Sequence, residues 1–373
     1  MKTVGIVGAG VVGACVAFHL AQRGVHVHCV ERARPGGLTT DVSFARLSAY
    51  QQSTYTRFEL SHTGMFEHAR LADRFDAAPW WHPTGGVAWS DGTGGRGASF
   101  AEEVDRLDAW GYRVVRADAA RANREWEPGV VFPHSRVPVV RFPDEGWIDG
   151  PLLVAALIRA AEGSGYLTMW RGAVEDVEVR DGRVVALRLA NQDRLAVDAV
   201  VNAAGPDTAS VAATLGGLAL TGTSTRSSLV VDLKTDGDPV RHVLRGAEAH
   251  VRSAGPGRVR VRSEQVDALL PAGPRSHAER DLVDNLVERA HRTLPALSSA
   301  VLDQARVGTA TFPADGLPSV GALSALSGYY EAFANSGITL APFIGRTLAT
   351  QITTGEVHPL WSQCSPDRLR VAS

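Results

Sequence analysis

Residues 4–13 read Val-Gly-Ile-Val-Gly-Ala-Gly-Val-Val-Gly, so that Gly8, Gly10 and Gly13 follow the spacing G-x-G-x-x-G. The apolar run 4–7 in front of these glycines predicts a strand that is buried on both faces of a parallel sheet. A buried strand that leads directly into a glycine-rich turn is typical of a dinucleotide-binding unit.

The residues after the glycines complete this unit. A helix is predicted over 11–23, because these residues are largely apolar and Gly24 is suited to end a helix as its C-cap. Apolar and polar side chains then alternate over 25–31, which predicts a second strand. A strand, a helix and a strand within about 30 residues have the size of a βαβ unit.

Each glycine of the motif has a steric role in binding a dinucleotide. Gly8 permits the tight turn, Gly10 lets the backbone approach a pyrophosphate, and Gly13 lets the helix pack closely on the strand. The N–H groups at the start of the helix attract phosphates. Glu31 ends the second strand, where it can accept hydrogen bonds from ribose hydroxyls and would repel a 2′-phosphate. The motif therefore predicts a site for NAD or FAD and argues against NADP.

The chain beyond residue 31 has a different pattern. Short β-like runs are predicted at 87–89, 139–142, three times within 174–201 (with turns at 181–182 and 191–193), and at 229–244, 250–261 and 329–334. Helices are predicted over 151–161, from the capping-box pair Ser276 and Glu279 to Pro295, and over about 342–350. This order predicts a discontinuous dinucleotide-binding domain with an inserted β-rich substrate domain. We place the first at 1–78, 145–220 and 305–373, and the second at 79–144 and 221–304.

The composition excludes several classes of protein. Hydrophobic residues make up 45% and charged residues 21% of the 373 residues, which is normal for a globular enzyme and wrong for disorder. The net charge of −2 provides no field that would attract nucleic acid or acidic lipid. Cys15, Cys29 and Cys364 are too widely spaced for a disulfide framework or a metal cluster, and the first two read as core residues.

The apolar stretch 4–18 follows Lys2 and has the look of a signal peptide, but its glycine spacing fits the dinucleotide motif instead. No run approaches the roughly 18 apolar residues of a membrane span. We therefore expect a complete, cytoplasmic enzyme without metal, nucleic-acid partner or membrane span.

Four segments, spread over the whole chain, carry a resemblance to one protein family. They are the glycine motif with Glu31-Arg32, Gly37-Leu38-Thr39-Thr40-Asp41-Val42-Ser43, Val201-Asn202-Ala203-Ala204-Gly205-Pro206, and Asp315-Gly316-Leu317-Pro318 with Asn335-Ser336-Gly337-Ile338-Thr339-Leu340-Ala341-Pro342. In these segments the chain resembles the D-amino-acid oxidase (DAO) superfamily of flavoproteins, which includes glycine oxidase, sarcosine oxidase and D-amino-acid dehydrogenase. The resemblance implies FAD and an α/β fold, in which a discontinuous Rossmann-type FAD-binding domain holds an inserted antiparallel β-rich substrate domain.

The resemblance also implies which residues contact FAD. They are Gly8, Ala9, Gly10, Val11, Val12, Gly13, Glu31, Arg32, Thr39, Thr40, Ser43, Val174, Ala203, Ala204, Gly205, Ser336, Gly337, Ile338 and Thr339. A helix that follows the loop 336–339 would direct its N–H groups at the pyrimidine side of the flavin, which gains negative charge on reduction. The alternative is that Ser336-Gly337 merely ends a strand. Some sarcosine-oxidase-like members bind flavin covalently through a cysteine ahead of this motif; residues 307–312 contain none, so we expect non-covalent FAD.

The chemistry that the resemblance implies is hydride transfer from a carbon bearing nitrogen to flavin N5, which yields an imine and needs no strong base if the amine is neutral. Members that oxidise amino acids commonly carry an arginine two residues after the glycine of the segment resembling Arg306-Val307-Gly308. That position is Ala310, and the usual proline after it is Thr311. Alanine cannot form the bidentate pair that arginine forms with a carboxylate. Either another arginine anchors the substrate, or the substrate lacks a carboxylate there; we therefore expect an atypical small-molecule or natural-product substrate.

Three residues are the candidate catalytic groups. Arg46 follows the flavin-binding segment and is the first candidate for the anchor, with a surface or structural salt bridge as the alternative, while Asn335 and Thr339 belong to the C-terminal motif. Four other arginines are expected to be solvated strand residues: Arg226, Arg245, Arg260 and Arg262. Five aromatic residues are read as core more readily than as pocket lining: Tyr50, Tyr55, Trp80, Trp81 and Trp89.

The sequence therefore predicts an FAD-dependent oxidoreductase that acts on an amine or amino-acid-like substrate and passes electrons to O2 or another acceptor. Two alternatives stay open. One is FAD-dependent oxidation of a hydroxy (CH–OH) substrate, and the other is binding of the dinucleotide without turnover.

Overall fold

A computed structural model describes residues 2–90, 97–214, 223–271 and 279–370. The strands are β1 (Thr3–Val7), β2 (His26–Glu31), β3 (Arg46–Leu47), β4 (Trp81–His82), β5 (Gly86–Trp89), β6 (Val115–Asp118), β7 (Pro138–Phe142), β8 (Gly146–Ile148), β9 (Leu167–Arg171), β10 (Val174–Arg180), β11 (Arg183–Leu189), β12 (Arg194–Ala196), β13 (Ala199–Asn202), β14 (Thr223–Lys234), β15 (Val243–Arg245), β16 (His250–Ser253), β17 (Arg258–Arg262), β18 (Val301–Pro313), β19 (Ser319–Ala322) and β20 (Tyr329–Phe333). The α-helices are α1 (Val11–Ala21), α2 (Thr39–Val42), α3 (Tyr55–Ala72), α4 (Gly97–Ala109), α5 (Ala119–Glu125), α6 (Gly150–Gly163), α7 (Thr208–Ala213), α8 (Glu264–Asp267), α9 (Arg280–Thr293) and α10 (Gly337–Thr354).

The predicted βαβ unit forms the centre of a six-stranded sheet with the order β19-β20-β13-β1-β2-β9. β1 pairs in parallel with both β2 and β13, and β19 is antiparallel to its neighbour β20. Helix α1 is buried along almost its whole length between this sheet and helices α6 and α10. The carboxyl ends of β1 and β13 therefore meet at one edge, and the glycine turn lies there.

A second sheet has eight strands in the order β18-β14-β17-β16-β15-β5-β7-β6. Its pairs are antiparallel except β15 with β5. Valine and arginine alternate over 258–262, and side chains of successive strand residues point to opposite faces. Val259 and Val261 are fully buried in the cluster that includes Leu286 of α9, so the arginines of β17 point to the opposite face. That face contacts the backbone at residues 41–44, which belong to or follow the segment predicted to contact FAD. Arg260 Nη1, for example, donates to the carbonyl of Ser43 at 2.8 Å.

The α/β class and the combination of a parallel with an antiparallel-rich sheet are as predicted, and the domain bounds remain a prediction. Several predicted runs divide into more strands than expected. The run 174–201 contains four strands rather than three, and 229–244 and 250–261 contain two each. Gly237, Gly255 and Gly257 adopt positive φ and form the turns that interrupt these runs.

The C-terminal helix was predicted to begin near Pro342, and this is wrong. α10 begins at Gly337, with Pro342 inside it. Proline has no N–H to give to the carbonyl four residues earlier, which is that of Ile338. His68 of α3 replaces this donor, since its Nε2 lies 2.8 Å from the Ile338 oxygen. This long-range hydrogen bond thus permits Pro342 inside the helix, whereas the local sequence pattern indicated that the helix begins there.

Further features are the N-cap of α9, the state of the three cysteines, and two kinds of feature that the described ranges do not contain. Glu279 is the N-cap of α9, and its proposed capping partner Ser276 lies outside the described residues. The three cysteines are buried and unpaired. No helix of the described ranges is both long enough and apolar enough to cross a bilayer. Within the same ranges, no three histidines, cysteines or carboxylates are grouped as they would be around a metal ion.

Candidate active site

A cavity of about 1120 Å³ lies between the glycine turn and the arginine-bearing face of the eight-stranded sheet. Pockets of roughly 300–1,000 Å³ enclose drug-sized ligands, so this cavity has room for a dinucleotide. Fifteen of the predicted cofactor residues line it: Gly8, Gly10, Val11, Val12, Glu31, Thr39, Thr40, Ser43, Ala203, Ala204, Gly205, Ser336, Gly337, Ile338 and Thr339. The four sequence segments, far apart in the chain, therefore converge on one cavity.

Four predicted cofactor residues lie outside the cavity lining, although all are in the described part of the chain: Ala9, Gly13, Arg32 and Val174. Arg32 forms an ion pair with Asp207 at 2.6 Å, and both side chains are partly exposed. Val174 packs against the apolar cluster beneath β1 and β2. Ala9 donates its N–H to Glu31.

The glycine turn allows a close backbone approach. Gly8 has a φ of +97°, and a Cβ there would lie 2.7 Å from the carbonyl oxygen of Ala203. A Cβ on Gly13 would lie 2.0 Å from the carbonyl oxygen of Gly8, so that only glycine permits α1 to pack against the turn. Gly10 is the N-cap of α1 and has no side chain to cover the first N–H groups. The positive end of α1 therefore faces the cavity, as phosphate binding requires.

Glu31 is fixed by two backbone donors. Its Oε2 accepts from Ala9 N at 2.9 Å and its Oε1 from Ala33 N at 2.8 Å. Only 8% of the residue is exposed, and it lines the cavity. A carboxylate has acceptor capacity for about four hydrogen bonds, so Glu31 retains lone pairs for ribose hydroxyls.

The segment that carries the predicted ribityl contacts is held from both sides. Thr40 Oγ1 accepts from Val11 N at 3.1 Å, and Thr39 Oγ1 donates to the carbonyl of Thr309 at 2.6 Å. From the eight-stranded sheet, Arg260 Nη1 donates to the carbonyl oxygen of Asp41, and Arg252 Nε donates to that of Phe44. These bonds fix the backbone that leads into Arg46.

The same segment is tied to the sheet by a buried ion network. Asp232 accepts from Arg260 Nε at 2.7 Å and from Arg306 Nη2 at 2.7 Å, and Arg306 also pairs with Asp41 at 2.8 Å. Burial alone would raise the pKa of Asp232, but the hydrogen bond and charge of Arg260, together with Arg306, hold that pKa below its usual value. Asp232 is therefore ionised and joins the substrate-side sheet to the cofactor segment.

The expectation that four arginines are solvated is wrong for three of them. Arg245 is 8% exposed, the Arg260 side chain 11%, and Arg262 pairs with Asp267 at 2.8 Å. β15, β16 and β17 are interior strands of the eight-stranded sheet. Residues between 41 and 50 cover the face of the sheet that carries their arginines. Arg226, on β14 near the rim, is exposed as expected.

The C-terminal motif forms the far end of the cavity. Ser336 is the N-cap of α10, so Ser336-Gly337 begins a helix instead of ending a strand. Asn335 Oδ1 accepts from Ser336 N at 2.9 Å, and Thr339 Oγ1 donates to the carbonyl oxygen of Arg46 at 3.4 Å. The three predicted catalytic residues thus lie together at this end.

Arg46 lies on β3, where it pairs in register with Trp147 of β8. Its side chain is half-buried and lines the cavity. Across the described ranges of the chain, its guanidinium forms no ion pair with a carboxylate, so the salt-bridge alternative does not apply there. Of the five aromatic candidates only Tyr50 lines this cavity, while Trp80 and Trp89 are core residues.

A buried polar network beside Arg46 was not predicted. Glu145 is 3% exposed, and its Oε1 accepts from Ser48 Oγ at 2.5 Å and from Tyr112 OH at 2.8 Å. Burial raises the pKa of Glu145, while the charge of Arg46 opposes that shift. Ser48 also lines the cavity. The residues come from three distant parts of the chain, so no local pattern indicates the network.

Two further residues of this end are His250 and Arg245. Burial and the charge of Arg245 hold the pKa of His250 well below its usual value, so its ring is neutral. His250 lines the cavity. Alternation of Val and Arg over 258–262 was the available sequence signal for this sheet face, but it does not reveal what covers the face.

Comparison with known proteins identifies the family. Residues 3–351 match the model of the family described as DAO, FAD dependent oxidoreductase. The 4-methylaminobutanoate oxidase (formaldehyde-forming) of Paenarthrobacter nicotinovorans is 26% identical over 95% of this chain, which spans 44% of that protein's length. An uncharacterized oxidoreductase, YurR of Bacillus subtilis (strain 168), is 24% identical over 94% of each chain.

The fold is that of a solved flavoenzyme. The crystal structure of glycine oxidase from Geobacillus kaustophilus superimposes with a TM-score of 0.87 at 20% identity and covers 100% of both chains. The resemblance drawn from four sequence segments is therefore confirmed, and of the two cofactors left open by the glycine motif, FAD is the correct one. The chain belongs to the DAO family of FAD-dependent oxidoreductases.

Proposed function

We propose that this flavoenzyme oxidises the carbon–nitrogen bond of a small amine or amino-acid-like substrate to an imine, with FAD held non-covalently. The observation that carries the proposal is the convergence of two features at one end of the cavity. The N-terminus of α10 and the arginine-bearing sheet face enclose the same space, which Arg46, Tyr50 and His250 line. The names of a relative and of a structural neighbour, 4-methylaminobutanoate oxidase and glycine oxidase, support a substrate with a C–N bond.

The chain's own groups have separate roles in this proposal. The β1–α1 turn and Glu31 would hold the adenosine and diphosphate of FAD, and Thr39, Thr40 and Ser43 would line its ribityl chain. The first N–H groups of α10 would lie beside the pyrimidine edge. FAD, when bound, supplies the hydride acceptor, and a helix N-terminus in this position favours the reduced, negatively charged form.

The cavity supports orientation of the substrate more than proton abstraction. His250 is a weak base because burial lowers its pKa, and burial raises the pKa of Tyr50, which stays neutral. A substrate that arrives as the neutral amine supplies the electron pair that assists loss of hydride, so a strong protein base is not required. Water exclusion and alignment are then the protein's main contributions.

Non-covalent attachment is supported by the positions of the cysteines. Cys15, Cys29 and Cys364 are buried, and none of the three belongs to the cavity lining. Burial raises the pKa of Cys364 to about 11, so its thiol is protonated and unreactive.

The test is an anaerobic screen of the holoenzyme, with loss of the oxidised flavin absorbance as the signal. Each amine is compared with the hydroxy compound of the same carbon skeleton: 4-methylaminobutanoate with 4-hydroxybutanoate, and glycine with glycolate. We expect bleaching by an amine and none by its hydroxy partner. Because Ala310 replaces the usual arginine, we also expect glycine, sarcosine and simple D-amino acids to react slowly. Bleaching by hydroxy compounds alone, or by no compound of either series, would contradict the proposal.

A further inference from the structure

Helix α3 holds the first turn of α10 through two backbone carbonyl groups. Gly64 of α3 approaches so closely that a Cβ there would lie 2.5 Å from the carbonyl oxygen of Thr339. His68, one turn further along α3, has its Nε2 2.8 Å from the carbonyl oxygen of Ile338. Ile338 and Thr339 both line the cavity. The end of α10 that faces the cofactor space is therefore positioned by α3.

The ring of His68 is the donor in this contact. Burial lowers the pKa of His68 to about 4, so the ring is neutral and carries one N–H. A carbonyl oxygen can only accept, and the N–H therefore lies on Nε2. The residue is fully buried, and in the described ranges its Nδ1 has no hydrogen-bond partner. A buried acceptor without a donor costs free energy, so stability alone would favour a side chain that lacks it.

Pro342 makes the Ile338 carbonyl available for this bond. A helix normally supplies the donor to a carbonyl from the residue four positions later, and Pro342 has no N–H. The Ile338 carbonyl and the Thr339 N–H belong to the same peptide group. Because hydrogen bonds in series polarise one another, a donor to this carbonyl strengthens the N–H at the other end of the group.

The Thr339 N–H is one of the donors at the start of α10. The first N–H groups of a helix have no carbonyl one turn earlier to which they can donate. In α10 they point toward the cavity, because residues 336–339 line it. The attraction of a helix N-terminus for negative charge acts over about the first turn. The position and polarity of this one turn therefore determine how well it stabilises charge in the cavity.

We propose that His68 is a positioning residue of the flavin site, which fixes and polarises the first turn of α10 and thereby raises the affinity of bound FAD for electrons. His68 does not line the cavity, so it acts through the backbone of α10. Gly64 contributes by allowing the close approach of the two helices. This inference rests on the proposed function, which places the pyrimidine edge of FAD beside α10.

The test measures how tightly the FAD-loaded enzyme binds sulfite, with loss of the oxidised flavin absorbance as the signal. Sulfite adds to flavin N5 and, like reduction, leaves negative charge on the pyrimidine side, and it requires no amine substrate. We expect His68→Leu to weaken sulfite binding by about three- to tenfold. The flavin reduction potential, measured against reference dyes, should fall in the same variant. His68→Gln keeps an N–H donor and should bind sulfite within about twofold of the wild type.

Pro342→Ala provides a second test, which also holds if His68→Leu alone fails to fold. This substitution introduces an N–H that reaches the Ile338 carbonyl from within the helix. His68→Leu in the Pro342→Ala background is therefore expected to bind sulfite within about twofold of the wild type, because the carbonyl again has a donor.

Trp361→Phe is the matched control, because it also removes a neutral, buried hydrogen bond to α10. Trp361 Nε1 donates to Thr347 Oγ1 at 2.8 Å, further along the helix, and neither residue lines the cavity. We expect this variant to lose stability but to bind sulfite within about twofold of the wild type, since the effect of a helix N-terminus is confined to its first turn.

Three outcomes would overturn the inference. They are wild-type sulfite affinity and reduction potential in His68→Leu, weak sulfite binding that Pro342→Ala does not restore, and an equal loss of sulfite affinity in Trp361→Phe. Gly64→Ala displaces the same turn directly. If Gly64→Ala weakens sulfite binding and His68→Leu does not, the role of His68 is wrong, whereas no change in either variant would also contradict the placement of the pyrimidine edge. A His68 effect in an enzyme that no amine bleaches would refute the proposed amine oxidation alone.

Discussion

At the residue scale, Gly13 shows how the lack of a side chain at one position permits the turn that binds the cofactor. Gly13→Ala would place a methyl group 2.0 Å from the carbonyl oxygen of Gly8, so the turn must open and its N–H groups must move away from the phosphates. We expect at least about a tenfold loss of FAD affinity, measured by fluorescence titration of the apoprotein. Gly163→Ala is the control, because that exposed helical position is open and a Cβ meets nothing within 4 Å. Equal FAD affinity of Gly13→Ala and wild type would contradict the packing role.

Glu145 gives a prediction about pH. Burial raises the pKa of Glu145 in the folded protein above that in the unfolded chain, so the unfolded chain releases this proton first as the pH rises. Glu145→Gln keeps the acceptor for Ser48 and Tyr112 but cannot ionise. We therefore expect the free energy of unfolding of the wild type to fall relative to this variant as pH rises above the usual glutamate pKa.

Urea unfolding of both proteins from about pH 4 to about pH 8 measures this difference. Glu125→Gln, which removes a carboxyl at an exposed position, serves as the control. A difference between wild type and Glu145→Gln that is constant over this range would mean that the carboxyl does not titrate differently in the two states.

At the element scale, α10 depends on a donor from α3. His68→Leu leaves the Ile338 carbonyl without the hydrogen bond that Pro342 cannot supply, and we expect a loss of about 1–3 kcal/mol of stability. In the Pro342→Ala background, the restored N–H reaches the same carbonyl. The cost of His68→Leu should then be smaller by about 1 kcal/mol, as measured in a double-mutant cycle by urea unfolding. Additive effects of the two substitutions would contradict the exchange of donors.

The same helix illustrates why local reading of the sequence fails at particular elements. The βαβ unit over 3–31 was predictable because its strand, turn and helix signals are contiguous. The start of α10 was not, because His68, which lies 270 positions before Ile338, decides whether Pro342 is tolerated inside a helix. The long β-like runs were seen, whereas the glycine turns that divide them were missed.

At the scale of the whole molecule, ion pairs join the eight-stranded sheet to the segment around Asp41 that is predicted to contact FAD. Asp232→Asn leaves Arg260 and Arg306 buried with one carboxylate fewer, and removing one partner from a buried ion pair costs about 3–5 kcal/mol. We expect a lower melting temperature and faster loss of FAD on dialysis, because Arg260 also holds the carbonyl of Ser43.

Asp303→Asn is the control for this network, since Asp303 pairs with Lys234 and Arg258, which lie two residues along the same strands from Asp232 and Arg260. That variant should retain FAD as the wild type does. Loss of stability in Asp232→Asn without faster loss of FAD would show that the network does not support the cofactor segment.

The arrangement of the site was predictable in part. Three segments with glycine or hydroxyl residues and the C-terminal motif were identified, because each carries a local backbone or side-chain pattern. Arg46 was identified as a cavity residue from its position in the chain. The buried state of Arg245 and the network of Glu145 depend on strand order and on pairing across more than ninety positions, which a single sequence does not reveal.

The central claim is that residues from four distant segments form one non-covalent FAD site. The most direct test is the visible spectrum of the purified protein before and after acid precipitation, with FAD added to a parallel sample. We predict the bands of oxidised flavin in the native protein and their release into the supernatant after precipitation. A colourless protein that FAD cannot reconstitute would contradict the cofactor site, and flavin that stays with the precipitate would contradict non-covalent binding.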